Sequence, residues 1–217
     1  MEKNMPALAM SDLISQETGE VRPLKYREGS PRNYRFDASK GIVNINGETA
    51  ITKPGDHFTF IPVACRIFKD TLFQAEGQTG LKKWGELFFV NEASVLCAIM
   101  VHGYTVENLE KLEAELFYDD LSLNQVALTL KPVQKENKTV ASKYYIGEWG
   151  YKAAPKDLVA EFAGQLTGVP VYREDTWKET AELLVTLNYA VPVNALPPGE
   201  SAPALPETVE LQSKPAK

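Results

Sequence analysis

Histidine and cysteine are scarce in this chain, with two of each among 217 residues. A protein-bound metal ion commonly takes three or four such ligands at recognisable spacing, and neither an HExxH nor a CxxC pattern occurs. His57 precedes one strand-like run and His102 ends another, which reads as strand-end placement. Cys65 and Cys97 both fall in predicted strands. A chain of this length does not need a disulfide staple, so they read as reduced core thiols of a cytoplasmic protein. A G-x-S-x-G elbow is missing, and Gly77, Gly80 and Gly85 are not followed by the Lys-Ser or Lys-Thr ending of a phosphate loop. Asp119 and Asp120 are adjacent and would diverge in an extended chain. A two-metal nuclease would have to recruit acids such as Glu86 and Glu148, and nothing in the spacing forces that. The expectation is no enzyme, no metal and no cofactor. There is also no apolar run of about 18 residues, so no membrane partner is expected. The first residues carry Asp12 and Glu17 and do not read as a secretory signal.

What is present is segregated charge. The net charge is −6, which argues against a generally basic nucleic-acid coat but leaves local basic faces open. From Arg22 to Lys40, six basic residues stand against two acids, and the same ratio holds from Lys131 to Lys156. Glu107 to Asp120 holds six acids and one lysine, and from Glu174 onward seven acids meet three lysines. Solvated surfaces of mixed sign are the neutral explanation.

The patterning divides the chain into a flexible basic and aromatic arm (1–39), a β domain (40–152), a helical extension (153–190) and a disordered, proline-rich tail (191–217). A short helical turn near Ser11–Gln16 is expected in the arm. Within it, "REGSPRNYRFD" interleaves Arg27, Arg32 and Arg35 with Tyr34 and Phe36. Such a segment can contact a phosphate backbone while its rings stack on bases, or it can pack on the domain by those rings. Asn46-Gly47 marks the turn of a small hairpin. A long strand follows from His57, apolar on both parities, with Pro62 suggesting an edge, bulge or break. After a glycine-bearing loop, Gln74 to Lys82, Trp84–Val90 and Val95–His102 predict a tight antiparallel pair. Val106, Leu109, Leu112 and Leu116 then recur at helical spacing, with Thr105 as a plausible cap. Strands follow over Leu123–Val133 and Ala141–Lys152. A second helix is expected from Pro155 or Lys156 to Leu166, and a third over Thr176–Leu187.

The fold class that follows is mainly β. It is a five-stranded barrel of the oligonucleotide/oligosaccharide-binding (OB) type with a helix between strands three and four, plus an N-terminal hairpin and C-terminal helices. On such a barrel the candidate platform is Trp84 and Phe88 on strand two with Tyr145, Trp149 and Tyr151 on strand five. Lys83, Lys131, Lys138, Lys143 and Lys152 are the matching basic groups, joined by Arg32 and Arg35 from the arm. Rings at these positions can stack unpaired bases, and they can equally be core residues. Trp149 is the best exposed candidate, because Gly147 and Gly150 leave space around it.

Five strands with a helix after the third, over about residues 56–152, resemble divergent OB-fold single-stranded DNA-binding proteins of phages and mobile elements. The resemblance is one of topology. It implies non-catalytic, sequence-tolerant binding of single-stranded DNA in replication or recombination, with replication or recombination proteins as further partners and a possible homo-oligomer. Such proteins often recruit partners through an acidic, aromatic-tipped tail, whereas this chain ends in "SKPAK". The alternative is a protein-interaction or structural accessory module working through the acidic helix or the C-terminal helices, without nucleic-acid binding.

Overall fold

The computed structural model describes residues 24–27, 30–72, 80–137, 142–167, 169, 171–172 and 182–188. In chain order the elements are β1 (Arg32–Asp37), β2 (Ile42–Ile45), β3 (Thr49–Ala50), β4 (Phe58–Phe60), β5 (Pro62–Asp70), β6 (Lys82–Val90) and β7 (Leu96–His102). Helix α1 (Tyr104–Tyr118) and a 3₁₀ turn (Leu123–Gln125) lead to β8 (Val126–Asn137), β9 (Ser142–Ala153), α2 (Lys156–Leu166) and β10 (Glu182–Asn188). The Ser11–Gln16 turn, Lys138, most of the Gln74–Lys82 loop and the tail lie outside the described residues.

The long strand is broken at Ile61, next to Pro62, whose missing N–H cannot serve a ladder. Its two halves join different sheets. β4 pairs with β8, and β5 pairs with β6, both antiparallel. One sheet has the order β10-β5-β6-β7-β1-β2-β3, and the other has β4-β8-β9.

This topology overturns the OB-like barrel. Closure would require β9 to reach the open edge of β7. That edge is taken by β1, which runs parallel to β7 from Arg32↔Cys97 to Arg35↔Met100. Among the described strands β9 pairs with β8 alone. Two separate sheets result, neither closed into a barrel. The resemblance to OB-fold single-stranded DNA-binding proteins falls with the barrel. The basic and aromatic segment therefore packs by its rings: Tyr34 and Phe36 are buried in the core. Of the expected third helix, residues 176–181 lie outside the described residues and the remainder is corrected. Glu182–Asn188 is a strand antiparallel to β5, so the open edge of β5 overrides the helical reading of that stretch.

The larger sheet is buried on both faces. On one, Cys65, Ile67, Leu87, Phe89, Ile99 and Val101 meet α1 and the inner face of β8. Val106, Leu109, Leu112 and Leu116 are the helix's contribution, the stripe its periodicity predicts. On the other face, Val63, Phe88, Leu96 and Ala98 pack with Leu158, Phe162 and Leu166 of α2. Beside them Arg66 and Glu86, cross-strand partners, form a fully buried ion pair at 2.7 Å.

Cys65 and Cys97 are free and buried. They sit on β5 and β7 with β6 between them, about 10 Å apart at the usual strand spacing. A disulfide between them is geometrically closed off. Burial raises both thiols, Cys97 to about 12. No helix of the described residues is long and apolar enough to cross a membrane.

Candidate functional site

The expected platform does not assemble. Trp84 and Phe88 lie on the α2-side face of the larger sheet, with Phe88 fully buried against Tyr172 and α2. Trp84 is buried with Phe68, Leu72 and Met100, and its Nε1–H donates to the Asp70 carbonyl at 3.3 Å. Tyr145, Trp149 and Tyr151 share one face of β9, as their parity predicts, but that face is turned toward the α1-side core. The larger sheet lies between the two groups of rings.

Trp149 belongs to a clamp between α1 and β9. Its Nε1–H donates to the Thr105 carbonyl at 2.9 Å, and its ring meets Phe60 edge-on. The Thr105 hydroxyl accepts from the Gly147 N–H at 2.9 Å, and Asn108 Nδ2 donates to the Gly147 carbonyl at 2.9 Å. Thr105 is thus a tether within the helix; the N-cap is Gly103, at φ 59°. Gly147 leaves no free space beside Trp149. A Cβ there would stand 2.6 Å from Thr105 Cγ2 and would collide with Leu130 Cδ1. The absent side chain is what lets helix and strand approach.

The basic candidates scatter. Lys83 Nζ is held by Glu110 at 2.9 Å. Lys131 and Lys152 are both exposed on the solvent face of the smaller sheet, opposite Glu148 and Ala127 respectively, away from the face that carries Tyr145, Trp149 and Tyr151. Arg32 and Arg35 are exposed on β1. Among the described lysines of that set, Lys143 lines a concavity together with Tyr145. The acids are dispersed too: Glu86 pairs with Arg66, Glu148 with Lys135, and Asp119 accepts from the Tyr151 hydroxyl at 2.8 Å.

Two surface features remain, at opposite ends of β9. One is an open groove of about 560 Å³ between the β1–β2 turn, the segment after β3 and the start of β9. Lys40, Lys53 and Lys143 line it, with Ile42, Pro54 and Tyr145 as its apolar floor and walls. The Tyr145 ring reaches the groove across Gly41, where a Cβ would lie 2.5 Å from the ring. Lys143 comes from a segment far in sequence from Lys40 and Lys53, so no local pattern announced it.

The other is the C-terminal end of α1. Phe117 is 74% exposed and Tyr118 84%, the two most exposed large apolar side chains among the described residues. Their rings touch edge to face. Glu113, Glu115, Asp119 and Asp120 surround them, and the last turn has no basic residue. Carboxylates there face the negative end of the helix dipole, an arrangement that weakens the helix. Burial, and then the neighbouring Glu110 carboxylate, raise the pKa of Glu113. The hydrogen bond to Asp119 raises that of Tyr151. A signal was available for Tyr118. It lies two residues past Leu116, about 200° around the helix, so it points away from the buried stripe.

Comparison with protein-family models, with curated proteins and with solved structures finds no match to this chain.

Proposed function

We propose that the protein is a non-catalytic interaction module whose working surface is the acidic, aromatic end of α1, and that its partner presents a basic protein segment. The reading rests on Phe117 and Tyr118, which stand in solvent with carboxylates around them. Aromatic side chains that give up their hydration on contact are the usual anchors of protein interfaces, and a rim of one charge selects a partner of the other. Acids placed against the helix dipole lower stability, and local rules are most often broken where a surface is used. The absence of a catalytic role is supported by the separate engagement of Glu86, Glu148 and Asp119. A reducing, cytoplasmic setting suits two buried thiols that cannot bridge.

Titration with lysine- and arginine-rich peptides carrying one large apolar residue tests this, followed by backbone amide resonances. The expected result is a set of shifts confined to Glu113–Leu121 that disappears in Phe117→Ser/Tyr118→Ser. Shifts elsewhere only, equal shifts with acidic peptides, or no shifts would each overturn the proposal.

A further inference from the structure

Resting on that reading of α1, we infer that the basic partner is a second copy of this chain, whose lysine-lined groove receives the Phe117–Tyr118 end of its neighbour. The two surfaces are complementary in both respects that matter. The groove offers Lys40, Lys53 and Lys143 around an apolar floor, with no carboxylate among its described lining residues. The helix end offers two exposed rings within a ring of acids. A concavity of about 560 Å³ lies within the roughly 300–1,000 Å³ range of sites that enclose a compact group.

Their placement excludes a contact within one molecule. Tyr145 lines the groove, while Tyr151, bonded to Asp119, marks the helix end. Six residues of extended β9 separate them, about 20 Å at the usual rise. A helix end at one pole and a groove at the other generate a heterologous, head-to-tail contact. Repetition of that contact gives open chains unless the rotation happens to close a ring. The contact is small, so the association is weak and depends on concentration. It is also carried by exposed charges, which salt screens over about 10 Å at 0.1 M.

Sedimentation velocity of the full chain at rising concentration, in low and high salt, reads this directly. The average mass is expected to climb without a dimer plateau at low salt and to fall back at high salt. Phe117→Ser/Tyr118→Ser removes the helix end, and Lys53→Glu/Lys143→Glu removes the groove. All four side chains are exposed, and a thermal melt checks that each variant folds. Each variant alone is expected to stay monomeric, with self-association weakened on the order of tenfold or more. Mixed, the two retain one intact helix end and one intact groove, so they are expected to form a heterodimer that grows no further.

A constant monomer mass in the wild type, a closed dimer, or association unchanged in either variant would overturn the inference. The groove variant also separates this inference from the reading it rests on. If it still binds basic peptides at Glu113–Leu121 while the wild type does not self-associate, the α1 surface stands and the second copy falls. If neither binding nor self-association is seen, both fall.

Discussion

The two sheets differ in how many of their faces are covered, and that difference decides what their sequences disclose. In the smaller sheet, β8 and β9 have one face in the core and one in solvent. Leu128 and Leu130 are buried while Lys131 and Glu148 are exposed. In the larger sheet, every residue of β6 from Trp84 to Val90 is buried, because α1 lies against one face and α2 against the other. A half-covered strand alternates, whereas a strand covered on both sides is apolar throughout. Parity therefore placed Tyr145, Trp149 and Tyr151 on a common face correctly. It could say nothing about whether Trp84 and Phe88 share a space with them, and they do not.

The most severe way to probe this contrast is to disturb the polar pair inside the doubly covered sheet. Glu86→Ala leaves Arg66 buried without its carboxylate, and breaking such a pair costs about 3–5 kcal/mol. Replacing both with apolar residues, Arg66→Met/Glu86→Leu, is expected to recover most of that loss. Urea unfolding of the three variants measures it. A Glu86→Ala protein as stable as the wild type would mean that water or a mobile layer reaches this face.

Trp149→Ala comes next. It removes a half-buried ring and its hydrogen bond to Thr105, at an expected cost of about 2–3 kcal/mol, below the 3–5 kcal/mol typical of a fully buried tryptophan. An unchanged unfolding midpoint would place the ring outside the clamp. The two glycines beside Trp149 sharpen the point. Gly147→Ala drives a methyl into Thr105 and Leu130 and should destabilise by about 1–3 kcal/mol. Gly150→Ala meets nothing within 4 Å, so its effect is expected to stay within about 0.5 kcal/mol. Equal effects at the two positions would contradict the close approach of α1 to β9.

The clamp also marks the limit of what the sequence discloses. The α1 stripe, the β6–β7 hairpin and the inward parity of β8 and β9 follow from periods of 3.6 and 2, which are local. Thr105 and Asn108 stand 42 and 39 residues from Gly147, and their meeting with it depends on how the helix is docked. Gly147 and Gly150 look alike as sequence. Only the approach of Thr105 makes one obligatory and leaves the other free. The segment that forms β10 is expected as a helix, and the one that forms β1 as part of an arm, for a related reason. Each adds to an edge of the larger sheet, β1 at β7 and β10 at β5, and an edge has no signature in the segment that will fill it. The barrel failed at that step: its elements were in place, but the β7 edge was already occupied.

The smallest expected effect concerns the thiols, which report on the α1-side core without disturbing it. Cys97 lies between β6 and β1, and burial raises its thiol to about 12 in the folded chain, against about 8.5 when unfolded. Cys65, on the same face, is raised as well. The folded state thus favours the protonated thiol. Its contribution is fully present below the unfolded pKa and declines as pH rises from about 8.5 toward 12, because the unfolded chain sheds the proton first. Two consequences can be measured on one sample. At pH 8 a disulfide reagent should find no reactive thiol in the folded chain and both after denaturation. The loss of stability between pH 8.5 and the alkaline unfolding transition should be shallower in Cys97→Ala than in the wild type. Rapid labelling of a folded thiol would mean that the β1 edge opens, and the parallel β1–β7 pair would then be the weak seam of the larger sheet.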